Sequence, residues 1–109
     1  MGYESRDHQL DLRLLPRRDR RVAYVPLVVV DAPPGSGPKL HKHPYKEVFV
    51  VQEGTVTFTA GDDVIEARGG QVIVVPAGVP HKFVNTGAGR LRQVDIHASG
   101  RFITQWLED

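Results

Sequence analysis

The sequence contains no cysteine. That excludes disulfides, thiolate nucleophiles, Cys-ligated zinc and iron–sulfur clusters. Small secreted domains often rely on disulfides, so the absence favours the cytoplasm. The chain also lacks an excess of either charge: 14 Lys and Arg stand against 13 Asp and Glu, a formal net charge of +1. Such a balance supplies no global field for nucleic acid or an anionic membrane, and neither is expected as a partner. No apolar run approaches the ~20 residues a membrane-spanning helix needs. Val22 to Val30 is apolar and follows basic residues, as in a signal peptide. Glu4, Asp7, Asp11 and Asp19 precede it and Pro26 interrupts it, so it reads as a strand and not as a targeting segment.

What is present is a chain of 109 residues, 40% hydrophobic. That is enough for one core and not for two. Residues 1–21 form a polar arm ending in Arg17-Arg18-Asp19-Arg20-Arg21, and residues 22–109 form the domain. Acidic residues are interspersed along the arm, which favours a solvated segment over a grip on an anionic partner.

From Val22 onward short apolar stretches alternate with turn signals. Asp31 to Pro38 is a Gly- and Pro-rich loop. Glu47 to Gln52 is β-branched and aromatic, and Thr55 to Ala60 alternates Thr with Val and Phe, the period-2 pattern of a strand with two unlike faces. Gly61-Asp62-Asp63 signals a hairpin turn. Val64 to Ala67, Gln71 to Val75, His81 to Asn85 and Arg90 to Ala98 continue the series. The tail from Phe102 to Glu108 fits either a helical turn or a last strand. Short strands at this spacing predict an all-β sandwich or barrel.

The chemistry concentrates at His41, His43 and Glu47. On a strand, residues an even number apart share a face, and these three have one parity. Pro44 between them marks an edge or a bend. Imidazole nitrogen and carboxylate oxygen suit iron, manganese, nickel, cobalt, copper or zinc. A lone His-x-His is ordinarily an exposed polar pair, and a lone His81 is ordinarily a satisfied histidine. His81 does, however, follow the stiff turn Pro76-Ala77-Gly78-Val79-Pro80, which fixes where the next strand begins.

Two longer patterns run through these residues: Gly35-x5-His41-x-His43-x3-Glu47-x6-Gly54 and Gly70-x5-Pro76-x-Gly78-x2-His81-x3-Asn85. They resemble the two signature motifs of the cupin superfamily at all ten specified positions, and the 15-residue spacer, Thr55 to Gly69, is similar to that of small single-domain cupins. The resemblance implies a double-stranded β-helix, a small jelly-roll barrel. It implies one divalent transition metal held inside by His41, His43, Glu47 and His81. Asn85 is expected to serve a turn. The tail from Ile96 to Glu108 looks like the ending of many small bacterial cupins.

A cupin resemblance indicates a site and not a reaction. Four ligands leave one or two positions open on a five- or six-coordinate ion, beside which a small-molecule ligand or substrate would fit. With iron, nickel or copper the expected chemistry is dioxygenase-like cleavage of an enol or diketone. With a redox-silent ion it is isomerase-, cyclase- or decarboxylase-like. Glu47 is the candidate catalytic residue, as a ligand that also acts as general base. The alternative is a non-catalytic cupin, a sensor or accessory subunit. No DNA-binding segment accompanies the motifs, which argues against a complete transcriptional regulator. Small cupins are commonly homodimers, and strand addition along Val22 to Val30 is the expected means. Gln93, Asp95 and His97 share one strand face, expected to meet solvent because polar residues usually do. His97 would become a proton relay only if that face turned inward. Tyr24 and Tyr45 are left between the mouth and the core, and Phe83 is assigned to the core.

Overall fold

The computed structural model describes the backbone of residues 4–8 and the whole of residues 26–109. Ten strands are formed among the described residues: β1 (Glu4–His8), β2 (Leu27–Ala32), β3 (His41–Lys42), β4 (Glu47–Glu53), β5 (Thr55–Ala60), β6 (Asp63–Arg68), β7 (Val72–Val75), β8 (His81–Asn85), β9 (Leu91–His97) and β10 (Gln105–Trp106). They make two antiparallel five-stranded sheets, ordered β1-β2-β9-β4-β7 and β10-β3-β8-β5-β6. The fold is all-β, a jelly-roll barrel, as the motifs imply. No helix among the described residues is long and apolar enough to cross a membrane.

The strands form where alternation predicts them. Val56 and Phe58 of β5 are buried and its threonines are not. The β5–β6 hairpin closes on the two residues Gly61-Asp62, with Gly61 at a φ of 57°. Gly54 carries a φ of 98°, and a side chain there would press within 2.6 Å of the Arg90 carbonyl oxygen. Only glycine fits. Asn85 serves its turn: its Nδ2 donates to the carbonyls of Ala32 and Gly89, and its Oδ1 accepts from the Gly87 N–H.

Inside, Phe49, Phe58 and Phe83 pack edge-on or tilted, with ring centroids 4.8–6.0 Å apart, among Val30, Val51, Val56, Val75 and Leu91. Each fully buried large apolar side chain contributes about 1.5–3 kcal/mol. His81 meets the ring edge of Phe49, so the polar site rests directly on this aromatic floor.

Two expectations need correction. Gln93, Asp95 and His97 are all buried. Strand β9 lies between β2 and β4, and its pairing sets Val28 against Asp95, Val30 against Gln93 and Glu47 against His97. Register with inward-facing neighbours fixes the pleat and overrides the statistics of isolated polar residues. Of the two forms open to the tail, Gln105–Trp106 takes the strand, β10. Strand β2 offers no free edge for a partner, because β1 pairs along one side of it and β9 along the other. Residues 22–25, with Tyr24, and the basic run Arg17 to Arg21 lie outside the described residues. Of the expected arm, Glu4–His8 pairs with β2.

Across β2, β9, β4 and β7 the outward face of the first sheet is apolar. Leu27, Ile96, Val48 and Val74 stand in one cross-strand row, and Val29, Val94, Val50 and Val72 in the next.

Candidate metal centre

The first three motif residues do not share one strand. His41 belongs to β3 in one sheet and Glu47 opens β4 in the other, so residues 43–46 carry the chain across the barrel. Cross-strand pairing then completes each side. His41 faces His81 on β8, and Glu47 faces His97 on β9. His43 sits in the crossing, where its carbonyl accepts the Gly78 N–H at 2.8 Å. That bond ties the Pro76–Gly78 turn to the first motif and sets the start of β8. Gly78 has a φ of 78°, which explains the glycine.

The expected ligands converge. One ligand atom each from His41, His43, Glu47 and His81 lie within 4.8 Å of one another, and all four side chains are buried. Each of the three histidines is oriented by the backbone carbonyl of another residue. His41 Nδ1 donates to the Lys39 carbonyl at 2.7 Å, His43 Nδ1 to the Ile103 carbonyl at 2.7 Å, and His81 Nδ1 to the Val79 carbonyl at 2.9 Å. A carbonyl can only accept, so the proton of each neutral ring sits on Nδ1 and the Nε2 lone pair faces inward. Glu47 Oε1 lies 3.0 Å from both His43 Nε2 and His81 Nε2. Buried His43 Nε2 makes no hydrogen bond. Lone pairs and a carboxylate crowded together this way repel one another unless a cation lies between them, and three imidazoles and one carboxylate are the donor set of a transition-metal site. The residues fit a divalent ion.

The electrostatics of His41 and Glu47 agree. Burial pushes His41 down from 6.5 to about 4, so it is neutral and ready to ligate near neutral pH. Burial, the largest single influence on Glu47, raises its pKa, but the imidazoles of His43, His81 and His97 outweigh it and hold the carboxyl well below the usual carboxylate range. Burial also lowers His43, yet Glu47 and the Ile103 carbonyl together lift it above its ordinary value.

Three contributors lay beyond the motifs. His97 Nε2 reaches Glu47 Oε2 at 3.2 Å, and its Nδ1 meets the Tyr45 hydroxyl at 2.6 Å. The Ile103 N–H donates to that hydroxyl at 3.1 Å. Because Glu47 Oε2 only accepts, neutral His97 donates from Nε2, and Tyr45 donates its proton to Nδ1. The tail thus buttresses the site twice through Ile103, and Trp106 packs against His41 at 4.9 Å. A tail without regular periodicity carries no sequence sign of this role. A cavity of about 230 Å³ opens over the ligand cluster, walled by Val28, Pro38, Phe83, Phe102, Trp106 and Asp95.

Fold and site together describe a small jelly-roll barrel with a buried histidine–carboxylate cluster able to hold a metal. The chain belongs to the cupin family: the family model described as "Cupin domain" matches residues 28–97. It is 33% identical over 61 residues to the HTH-type transcriptional regulator PuuR of Escherichia coli, covering 56% of this chain and 33% of that protein. The chain therefore spans about a third of the length of the curated relatives it matches. Among solved structures, a conserved protein with a double-stranded β-helix domain from Klebsiella pneumoniae aligns with TM-score 0.72 at 23% identity, over 81% of this chain and 78% of that one. Oxalate decarboxylase of Bacillus subtilis, described with Mn(II) centres, aligns with TM-score 0.71 at 22% identity, over 76% of this chain and 24% of that one. These structural likenesses show the fold.

Proposed function

We propose that this cupin binds one divalent transition metal through His41, His43, Glu47 and His81 and acts as a metalloenzyme on a small oxygenated molecule. The observation that carries the reading is the convergence of three backbone-oriented imidazole Nε2 atoms and the Glu47 carboxylate beside a cavity. A bound ion supplies Lewis acidity toward an oxygen of the substrate, and a redox-active ion adds dioxygen chemistry. Glu47 binds through Oε1 and is steered through Oε2 by His97, so it is placed to accept a substrate proton as general base. Tyr45 and His97 hold that carboxylate in position. Phe83, Phe102 and Trp106 line the cavity beside it.

A second reading, a non-catalytic ligand sensor, is supported by the 33% identity to part of a transcriptional regulator. The test begins with elemental analysis of the purified protein and of His43→Ala. About one ion per chain in the wild type and a marked loss in the variant support the site. Equal content in both, or none in fresh wild type at neutral pH, overturns it. Turnover of small oxygenated compounds by the metal-loaded protein then separates the enzyme from the sensor.

We also propose a homodimer joined through the outer face of the first sheet. The two rows of four aliphatic side chains form a continuous apolar patch, exposed at Val72 and Val74 and half-buried at the other six, and Asp31, Arg92 and Glu53 border it at one end. A face carrying both charge signs at its rim can pair with its own copy about a two-fold axis. The cysteine-free composition fits a reducing cytoplasm.

A further inference from the structure

Below the ligand cluster, β9 carries a polar pair that the metal site does not use. Asp95 lines the cavity, and Gln93 lies one inward position deeper, fully buried. Gln93 Nε2 donates to Asp95 Oδ1 at 2.9 Å. The other amide atom, Gln93 Oε1, is buried without a hydrogen-bond partner. Asp95 makes no further hydrogen bond among the described residues, and its carboxyl borders the cavity. Its strand neighbours are Val28 and Phe49, so nothing cationic on β2 or β4 faces it directly. Gln93 locks one carboxyl oxygen and leaves the other for whatever fills the cavity.

We propose that Asp95, positioned by Gln93, is a second ligand anchor, and that the cavity takes a small hydroxylated carboxylate or carbonyl compound with one end at the metal and its hydroxyl on Asp95. The inference rests on the metal reading given above. Size supports it, since 230 Å³ is below the ~300–1,000 Å³ of pockets for drug-sized ligands. Chemistry favours a hydroxyl over an ammonium group. Burying an ammonium charge between apolar walls costs far more than burying a hydroxyl that makes one hydrogen bond. The apolar walls, Phe83, Phe102 and Val28, fit the carbon chain between the two ends.

The test uses metal-loaded protein and matched probes: 3-hydroxypropanoate and 4-hydroxybutanoate, their deoxy partners propanoate and butanoate, and the amine β-alanine. Binding is read by calorimetry, with metal content measured on the same samples. In the wild type at least one hydroxy acid should bind about tenfold tighter than its deoxy partner, the order expected for one buried hydrogen bond. Asp95→Asn, which keeps a donor and an acceptor, should retain most of that preference, and Asp95→Val should abolish it with metal content unchanged. Equal binding of hydroxy and deoxy acids, no binding of either, tighter binding of β-alanine, or an undiminished preference in Asp95→Val overturns the anchor while the metal site stands. A metal-free wild type overturns both. Should Asp95→Val fail to fold, the wild-type comparison and Asp95→Asn decide the matter.

Discussion

Glu47 and His97 are direct cross-strand partners, and His97 Nε2 lies 3.2 Å from Glu47 Oε2. The remaining carboxylate oxygen, Oε1, is thereby turned toward His43 and His81. Tyr45 fixes the far side of the His97 ring. Removing the hydroxyl frees the ring to rotate and lets Glu47 swing. Tyr45→Phe should weaken metal binding about 10- to 100-fold, the usual cost of losing a group that orients a ligand. Competition titration against a metal-chelating dye measures it. Wild-type affinity in Tyr45→Phe would show that the contact is incidental.

Much of this site was legible in the sequence. The candidate ligands His41, His43, Glu47 and His81 follow from spacing and resemblance, but one strand parity is not how His41, His43 and Glu47 come together. They meet because residues 43–46 cross between sheets. His97 was misjudged because the inward face of β9 is decided by register with β2 and β4, which is long-range information. Tyr45 and Ile103 act through a contact between residues 58 positions apart, and neither stands in a motif. The strand boundaries of β5 and β8 were read correctly because alternation and turn glycines are local.

Acid should destabilise the metal-free protein in a definable window. His41 is lowered by burial from 6.5 to about 4. Between those values the unfolded chain takes up a proton that the folded chain refuses, so stability falls as pH drops across the window. Glu47 has the same sign further down: its contribution is present above the unfolded carboxylate value and is lost as pH falls toward its lowered folded value. His43 has the opposite sign, since its pKa is raised. Its contribution is fully present below 6.5 and is lost as pH rises through its folded value. With chelator present, the melting temperature should therefore fall from pH 6.5 toward pH 4, and less steeply in His41→Gln. Identical slopes in the two proteins would contradict the assignment to His41.

The outer sheet face makes its own prediction. Val72 and Val74 are each 55% exposed in the single chain, at the β7 end of the two aliphatic rows. Replacing both with lysine introduces charges into the centre or margin of any interface formed there, without entering the core. Light scattering should give twice the chain mass for the wild type at micromolar concentration and the single-chain mass for the double variant, with unchanged circular dichroism. A monomeric wild type, or a dimer indifferent to both lysines, rules out this face.

The last prediction separates the two roles assigned to Glu47. Glu47→Gln keeps the shape of the side chain and a carbonyl oxygen that can still accept from His97. It removes the negative charge and the basicity. Weaker metal binding is expected under either role, because a neutral amide is a poorer ligand than a carboxylate. Three histidines still converge, and three histidines suffice to hold a metal in some zinc enzymes, so excess metal should reload the variant. Once a turnover substrate is in hand, the reloaded variant distinguishes the roles. A residue that only ligates would be replaced by the added metal, and rate would largely return. A residue that also takes a proton from the substrate would not, since losing a positioned base costs about 10²–10⁴-fold. We expect the second result, because His97 meets Oε2 and is itself held by the Tyr45 hydroxyl, an arrangement that steers a working carboxylate rather than merely filling a coordination position. Near wild-type turnover by fully metallated Glu47→Gln would leave Glu47 as a ligand alone.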